Sequence, residues 1–403
     1  MKKSAVTAIM LTLTWGISVR AGEDSVLLLA FTASEAKSFE SVSKELERIN
    51  VPHSVVGLGV AHAILKDHPH ALSLKVKCGL RAPVHRPEWP SKQRLPEGDL
   101  LKLSGCLDPH VTMLGTYARV QAQIASIFRK KGSYVISFYD DFYRDTPQIM
   151  VKSALPRSHE ILLPTPQLLP FFQKIFPHIQ THVTGRPNNE TWLIARKRVN
   201  KVNLQRKMIP PGFVGRKILF YLGGYGRDYN DSFEELVKFV KQKPELLAIY
   251  SPYPGDNGKR EMSLIQMYGV SNFIALPKEV PVEEAVYLAD RILCHRSNTG
   301  IQAAFAGLAV GYYDTNLYVY QNPLIDKGIV PHLQTQQDLH KFMDETYAHP
   351  RYTPEALSQK MNWPLGAART IALRIKERLR DRLHASSLQG LPWQTPGILD
   401  PSS

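Results

Sequence analysis

Arg296-Ser297-Asn298-Thr299-Gly300 is the segment of this sequence whose residue types are best suited to holding a ligand. It follows the apolar run Arg291 to His295 and precedes Ile301-Gln302-Ala303-Ala304-Phe305, so it reads as the loop between a buried strand and a helix. The first N–H groups of a helix have no partner within it, and the helix dipole adds partial positive charge at that end. Such a start binds phosphate. The hydroxyls of Ser297 and Thr299 add donors, and Arg296 adds a fixed charge. The same residue types also cap helices that bind nothing. The segment alone leaves both readings open.

Proton transfer to or from a ligand needs a positioned acid or base. Three carboxylates stand where an open parallel sheet places its ligands, at the C-terminal ends of strands. Glu35 follows the first apolar run, and Asp140 and Asp141 follow the run Tyr134 to Phe138. Each has an ordinary structural use, since Glu complements a helix N-terminus and Asp closes turns. Asp141 and Asp140 rank above Glu35 as candidates. His295 reads as a structural residue at a strand end.

These residues need a scaffold, and the chain alternates short apolar runs with helical patterns throughout. That alternation predicts an α/β protein with parallel sheets covered on both faces. The predicted strands are Val26 to Phe31, Val51 to Leu58, Val111 to Leu114, Tyr134 to Phe138 and Glu160 to Leu163, then Lys217 to Leu222, Leu246 to Tyr250, Phe273 to Leu276, Arg291 to His295 and Ala309 to Tyr313. The basic stretch 197–212, ending in Pro210-Pro211-Gly212, reads as a linker between an N-terminal domain at 22–196 and a C-terminal domain at 213–365. Residues 73–103, rich in proline and basic side chains, read as a long irregular insertion. A helix at 366–386 and a proline-containing tail at 387–403 complete the chain.

The 403 residues carry a formal net charge of +14, which favours anionic partners without choosing among them. Zinc-finger spacing, RRM-type aromatics and long single-sign charge runs are all missing from the sequence, so no nucleic-acid partner is expected. A peripheral contact of the basic surface with an anionic membrane stays open. Lys2-Lys3, the apolar stretch Ala5 to Val19 and Val19-Arg20-Ala21 have the pattern of a secretory signal at 1–21. The expected location is therefore exported, periplasmic or secreted, or membrane-anchored if the segment stays uncleaved. Cys78, Cys106 and Cys294 lack metal-ligand spacing, and Cys78 and Cys106 are available to pair in an exported chain.

Three segments, in order, resemble the GT-B glycosyltransferase and UDP-N-acetylglucosamine 2-epimerase-like superfamily, nearest the peptidoglycan N-acetylglucosaminyltransferase group. Val183-Thr184-Gly185-Arg186-Pro187 is similar to the Val-Thr-Gly-Asn-Pro end of that group's N-terminal domain. Ile218 to Leu222 followed by Gly223-Gly224-Tyr225-Gly226 is similar to the glycine loop opening its C-terminal domain. Ser297, Gly300, Gly307 and the run Ala309 to Tyr313 match its strand–loop–helix. The resemblance covers roughly 105–330. It implies two Rossmann-like domains facing a cleft, with Gly223, Gly224 and Gly226 letting the backbone approach a diphosphate or sugar. It further implies that Ser297 to Gly300 hold the phosphates and that Pro277-Lys278-Glu279-Val280 line the base. The family's ribose-binding Glu is replaced by Gln302, which can hydrogen-bond a hydroxyl without charge assistance.

The implied activity is metal-independent transfer of a sugar from a nucleotide-diphosphate donor, UDP-linked, to an unidentified acceptor. No separate cofactor is expected beyond that donor substrate. Two alternatives stand beside it: a sugar-nucleotide epimerase or hydrolase on the same scaffold, and a non-catalytic exported binding protein that kept the fold. The sequence lacks an Asp-x-Asp metal motif, and the glycines at 223–226 do not follow the dinucleotide pattern.

Overall fold

The computed structural model describes residues 25–142, 152–213, 215, 217–224, 227–252, 258–316, 322–344 and 351–389. The expected signal segment at 1–21, Gly226 and the tail beyond Gln389 lie outside the described residues.

Among the described residues, twelve strands form two parallel sheets, six strands in each. The first contains β1 (Val26–Ala30), β2 (Ser54–Gly57), β3 (Val111–Leu114), β4 (Tyr134–Phe138), β5 (Glu160–Leu163) and β6 (Gln180–Val183), in the order β2-β1-β3-β4-β5-β6. The second contains β7 (Lys217–Leu222), β8 (Leu246–Ser251), β9 (Phe273–Ala275), β10 (Arg291–Cys294), β11 (Val310–Tyr313) and β12 (His332–Leu333), in the order β12-β11-β10-β7-β8-β9. Strands buried on both faces appear as continuous apolar runs. β1, β3 and β5 are buried throughout, as the sequence predicts.

Strand order decides where a ligand can sit. In the first sheet the chain lays β2 on one side of β1 and β3 on the other. In the second, β8 lies on one side of β7 and β10 on the other. A crevice opens at the carboxyl ends of strands where the winding direction reverses. These reversals lie between β1 and β3 and between β7 and β10. Glu35 follows β1, Gly223-Gly224 follows β7, and Arg296-Ser297 follows β10, so the loops singled out by residue type flank both switch points.

Two stretches differ from expectation. Residues 73–103 are folded: helices Leu74–Cys78 and Glu97–Cys106 bracket the stretch, and Cys78 and Cys106 form a disulfide with 5.4 Å between their Cα atoms. Leu74, Leu80, Val84, Trp89, Leu95 and Leu103 pack into the core over β1 and β3. The proline and charge content that suggests an irregular excursion belongs to its outer side. The stretch 197–212 also holds a helix, Lys201–Met208, with Asn200 as its cap, and its Leu204 and Met208 lie in the core of the second sheet.

The chain then returns to its first half. Helix Ala367–Gln389 buries Ala368, Ile371, Ala372, Ile375 and Leu379 against Val26, Leu28 and Phe39. Arg374 and Arg378 both pair with Glu160 on β5, a carboxylate fully buried from water. Among the described residues no helix is long and apolar enough to cross a membrane.

Candidate functional site

The helix Asn298–Phe305 begins as its sequence suggests. Ser297 is its N-cap, with Oγ accepting from the Thr299 N–H at 3.2 Å and lying 2.8 Å from the Thr299 hydroxyl. The Gly300 N–H donates to the Ser297 carbonyl at 3.2 Å, and Tyr312 donates its hydroxyl to that same carbonyl at 3.0 Å. Ordinary capping therefore occupies some of the donors that a phosphate would use. Gly300 is required by packing: a Cβ there would lie 2.6 Å from the Tyr312 hydroxyl and 3.0 Å from Cys294 Cβ. Its lack of a side chain serves the seam between helix and sheet.

Arg296 has a positive φ of 42°, in the left-handed region. The turn aims its guanidinium back along the domain, where Nε reaches Asp314 Oδ2 at 2.8 Å and Nη1 reaches Asp228 Oδ2 at 2.9 Å. Asp314 follows β11 at the C-terminal edge of the sheet and is almost fully buried. Burial pushes its carboxyl up, but His295, the Asn316 N–H and Arg296 together hold it below the usual aspartate range. The cation that sequence reasoning assigns to a phosphate is thus part of a carboxylate cluster. Asp314 and Asp228 were not among the residues chosen from sequence. An acid directly after an apolar strand, as at Tyr313-Asp314, is the signal that points to the first.

The β7 loop lies against the same cluster. A Cβ on Gly224 would fall 2.8 Å from His295 Nδ1 and 2.9 Å from the His295 carbonyl, so only glycine lets the loop approach β10 this closely. His295 is 2% exposed, as a structural strand-end residue would be, and stacks edge-on to Tyr229. Gln302 is also buried, at 5% exposed, and its side-chain nitrogen finds no partner among the described residues. Lys278 is exposed beyond β9.

The carboxylates of the first domain have three different surroundings. Glu35 is the third residue of the helix Ala33–Arg48 and forms a capping box with Thr32. It is 1% exposed and accepts hydrogen bonds from the N–H groups of Phe31 (2.7 Å), Thr32 (3.2 Å) and Thr116 (3.1 Å) and from the Gln121 side chain (3.0 Å). Burial pushes its carboxyl up to about 7, the Asp140 charge adds to that push, and the Phe31, Thr32 and Gln121 donors oppose it. Asp140 accepts from Arg186 Nε at 2.9 Å. Arg186, 3% exposed, also donates to Ser34 Oγ at 2.7 Å, and Asn188 donates to the same hydroxyl at 3.2 Å. Arg186 lies in the segment chosen by resemblance, but no local pattern marks it as the partner of Asp140. Asp141 faces the other domain: its Oδ1 accepts from the Asn298 side chain at 3.1 Å. The two halves are also joined by Lys37, whose ammonium lies 2.8 Å from both oxygens of Glu283.

The structure therefore brings Asp140, Asp141 and Glu35 to one sheet edge and Gly223, Gly224 and Arg296 to Gly300 to the other, with Asp141 and Asn298 in contact between them. Among the described residues no group of His, Cys, Asp and Glu is arranged to hold a metal ion.

This architecture is shared with solved structures. The chain is similar to UDP-N-acetylglucosamine 2-epimerase from Rickettsia bellii, with a TM-score of 0.62 and 14% identity over 90% of this chain and 99% of that one. It is similar to the Neisseria meningitidis enzyme of the same name bound to UDP-GlcNAc, with a TM-score of 0.58 and 13% identity over 88% and 99% of the two chains. Anabaena HepE in complex with UDP and glucose matches with a TM-score of 0.50 and 11% identity over 91% and 100%. No family model matches the sequence, and no curated protein matches it. The chain has the GT-B fold, two Rossmann-like domains arranged as in these solved structures.

Proposed function

We propose that the chain binds a UDP-linked sugar between its two sheets and transfers the sugar to an acceptor without a metal. The observation that carries this reading is the meeting of Asp141 with Asn298, which sets a carboxylate of one domain at the capped helix start of the other. The diphosphate lies at the start of Asn298–Phe305, held by backbone dipole and the Ser297 and Thr299 hydroxyls. The β7 loop at Gly223 and Gly224 lies beside the sugar. Asp141 is the base, because it stands at the domain boundary beside the capped helix start of the other domain. The solved structures of this fold that hold UDP-GlcNAc, or UDP with glucose, support the donor class. The Cys78–Cys106 disulfide supports an oxidising compartment, and with it export.

The epimerase reading is the second, supported by the fold shared with 2-epimerases. Titration calorimetry with UDP and UDP-GlcNAc, followed by NMR of the sugar products, separates the two. Transfer requires UDP binding, and Asp141→Asn is expected to slow turnover by about 10²–10⁴-fold with affinity changed only a few-fold. Interconversion of sugar epimers without an acceptor replaces transfer by the epimerase reading. Failure of both nucleotides to bind at millimolar concentration refutes both readings and leaves a non-catalytic binding protein.

A further inference from the structure

β2 is the outermost strand of the first sheet, and residues 68–73, between helices Val60–Leu65 and Leu74–Cys78, cover its open edge. Ala71 bridges to Val55 in parallel. The Val55 N–H donates to the His70 carbonyl at 2.8 Å, and the Leu72 N–H donates to the Val55 carbonyl at 2.8 Å. Two imidazoles fasten this cover as hydrogen-bond acceptors. His85 Nδ1 lies 2.8 Å from the Gly57 carbonyl, which can only accept, so Nδ1 carries the proton. Its Nε2 is then the lone-pair nitrogen, and it accepts from the Leu74 N–H at 3.1 Å. His68 Nδ1 accepts from the His70 N–H at 3.2 Å. A backbone N–H cannot reverse its role. Protonating either acceptor nitrogen therefore sets donor against donor and removes the bond. His53 differs: its Nε2 lies 2.5 Å from the Ser43 hydroxyl, which can rotate to accept instead.

The surroundings oppose the protons as well. The His85 ring lies 4.7 Å from that of His62, and the His70 ring lies 4.2 Å from His53 and 5.8 Å from His68. A second proton within either group meets like charge. Carboxylates act the other way: Glu40 and Glu47 of helix Ala33–Arg48 on His68, Glu47 on His53, and Asp67 on His62. Lys44 acts against the proton on His68, and Lys66 against the one on His62. Burial is the largest influence on all four rings, and with the neighbouring cations and imidazoles it holds His53, His62, His68 and His85 below the ordinary histidine range. The stability that neutral rings contribute is therefore present above the ordinary range and lost as pH falls through it towards the lower folded values.

We propose that His68 and His85 form an acid-sensitive latch: neutral, they hold residues 68–73 on the edge of β2, and protonated, they release them and bare the Val55 N–H and carbonyl. The opening is local, because Leu74, Leu80 and Val84 lie in the core and Cys78 is bridged to Cys106. An edge strand paired within the chain at neutral pH thus becomes open to another strand in acid. The inference is independent of the sugar-nucleotide reading. Amide hydrogen exchange of the full chain at about pH 7 and about pH 5, corrected for intrinsic rates, tests it. Below the ordinary histidine range the protection of Val55 and Leu72 is expected to fall by about tenfold per pH unit for each histidine that takes up a proton on opening, while Ala248 and Ile249 of β8 keep theirs. In His68→Gln with His85→Gln, carboxamide oxygens that accept at any pH replace the ring nitrogens, and protection is expected to persist in acid. Should that variant lack protection already at neutral pH, NMR titration of the wild-type rings decides. Titration of His68 and His85 below the ordinary range supports the latch, and titration at or above it overturns it. Unchanged wild-type protection in acid, an equal fall in β8, or the same fall in the glutamine variant also overturns it.

Discussion

Replacing Arg296 by alanine separates the structural from the ligand-binding role of the β10 loop. If the guanidinium served a diphosphate, its removal would weaken nucleotide binding and leave the fold alone. The geometry predicts a loss of stability first. Asp314 has a side chain 4% exposed and is reached by Arg296 at 2.7–2.8 Å, with the Asn316 N–H at 3.0 Å and His295 at 3.7 Å as its other contacts. Breaking a fully buried pair costs about 3–5 kcal/mol, because the remaining charge is left uncompensated. Arg296 is 23% exposed and its second partner Asp228 is 43% exposed, so water repairs part of the loss and the Asp228 contact adds little. The expected cost of Arg296→Ala is about 2–3 kcal/mol, a fall in Tm of roughly 4–12 °C for a domain of this size.

Two companion variants make that figure testable. Adding Asp314→Asn to Arg296→Ala removes the orphaned charge and is expected to recover part of the loss, a positive coupling in a double-mutant cycle. Arg296→Gly is expected to be more stable than Arg296→Ala by about 1–2 kcal/mol, since glycine adopts the positive φ without the Cβ penalty. Thermal and urea unfolding followed by circular dichroism measure the stabilities, and calorimetry with UDP runs beside them. The Asp314 contribution has a defined pH window: its folded pKa is depressed, so the stability is present above the ordinary aspartate range and lost as pH falls through the lower folded value. An Arg296→Ala protein that melts with wild type yet binds UDP tenfold more weakly would refute the structural assignment and return Arg296 to the phosphate.

Glu35 gives the opposite pH response. Its folded pKa, raised to about 7 from the ordinary glutamate value of 4.5, means that the native state binds the extra proton between those values, so stability should fall as pH rises through that window. Glu35→Gln should remove this slope in urea unfolding measured at several pH values; an unchanged slope would show that another group is responsible. Cys78→Ser with Cys106→Ser opens a loop whose ends are 28 residues apart, and the chain-entropy model puts the cost at about 3–4 kcal/mol. That loss should appear as a lower Tm under non-reducing conditions only, and equal melting of wild type and variant without reductant would show that the bridge contributes nothing.

Legibility in the sequence followed the range of the interaction that creates each feature. β3, β4, β5 and β7 match their apolar runs residue for residue, because a strand buried on both faces writes its environment into consecutive residues. β12 has two residues and owes its existence to pairing with Tyr312 and Tyr313, so no local run marks it. Residues 73–103 misled for a related reason. Their inward residues Leu74, Leu80, Val84, Trp89 and Leu95 follow neither a helical nor a strand period, and what holds them is a bridge from Cys78 to Cys106 that spacing cannot assign.

The site divides in the same way. Ser297 as a helix cap and Gly224 as a close-approach residue are consequences of neighbouring backbone, and residue type announces them. The roles of Arg186 and Arg296 are set by partners brought from elsewhere: Arg186 meets Asp140 from 46 residues away and Ser34 from 152, and Arg296 meets Asp314 from 18. A cation beside a phosphate-type loop looks the same in sequence whether it faces a ligand or a buried carboxylate. Here the tertiary position of Asp314 supplies a carboxylate partner for the cation. A diphosphate bound at the proposed site would be held by backbone dipole and hydroxyls, with Asp141 near the same helix start.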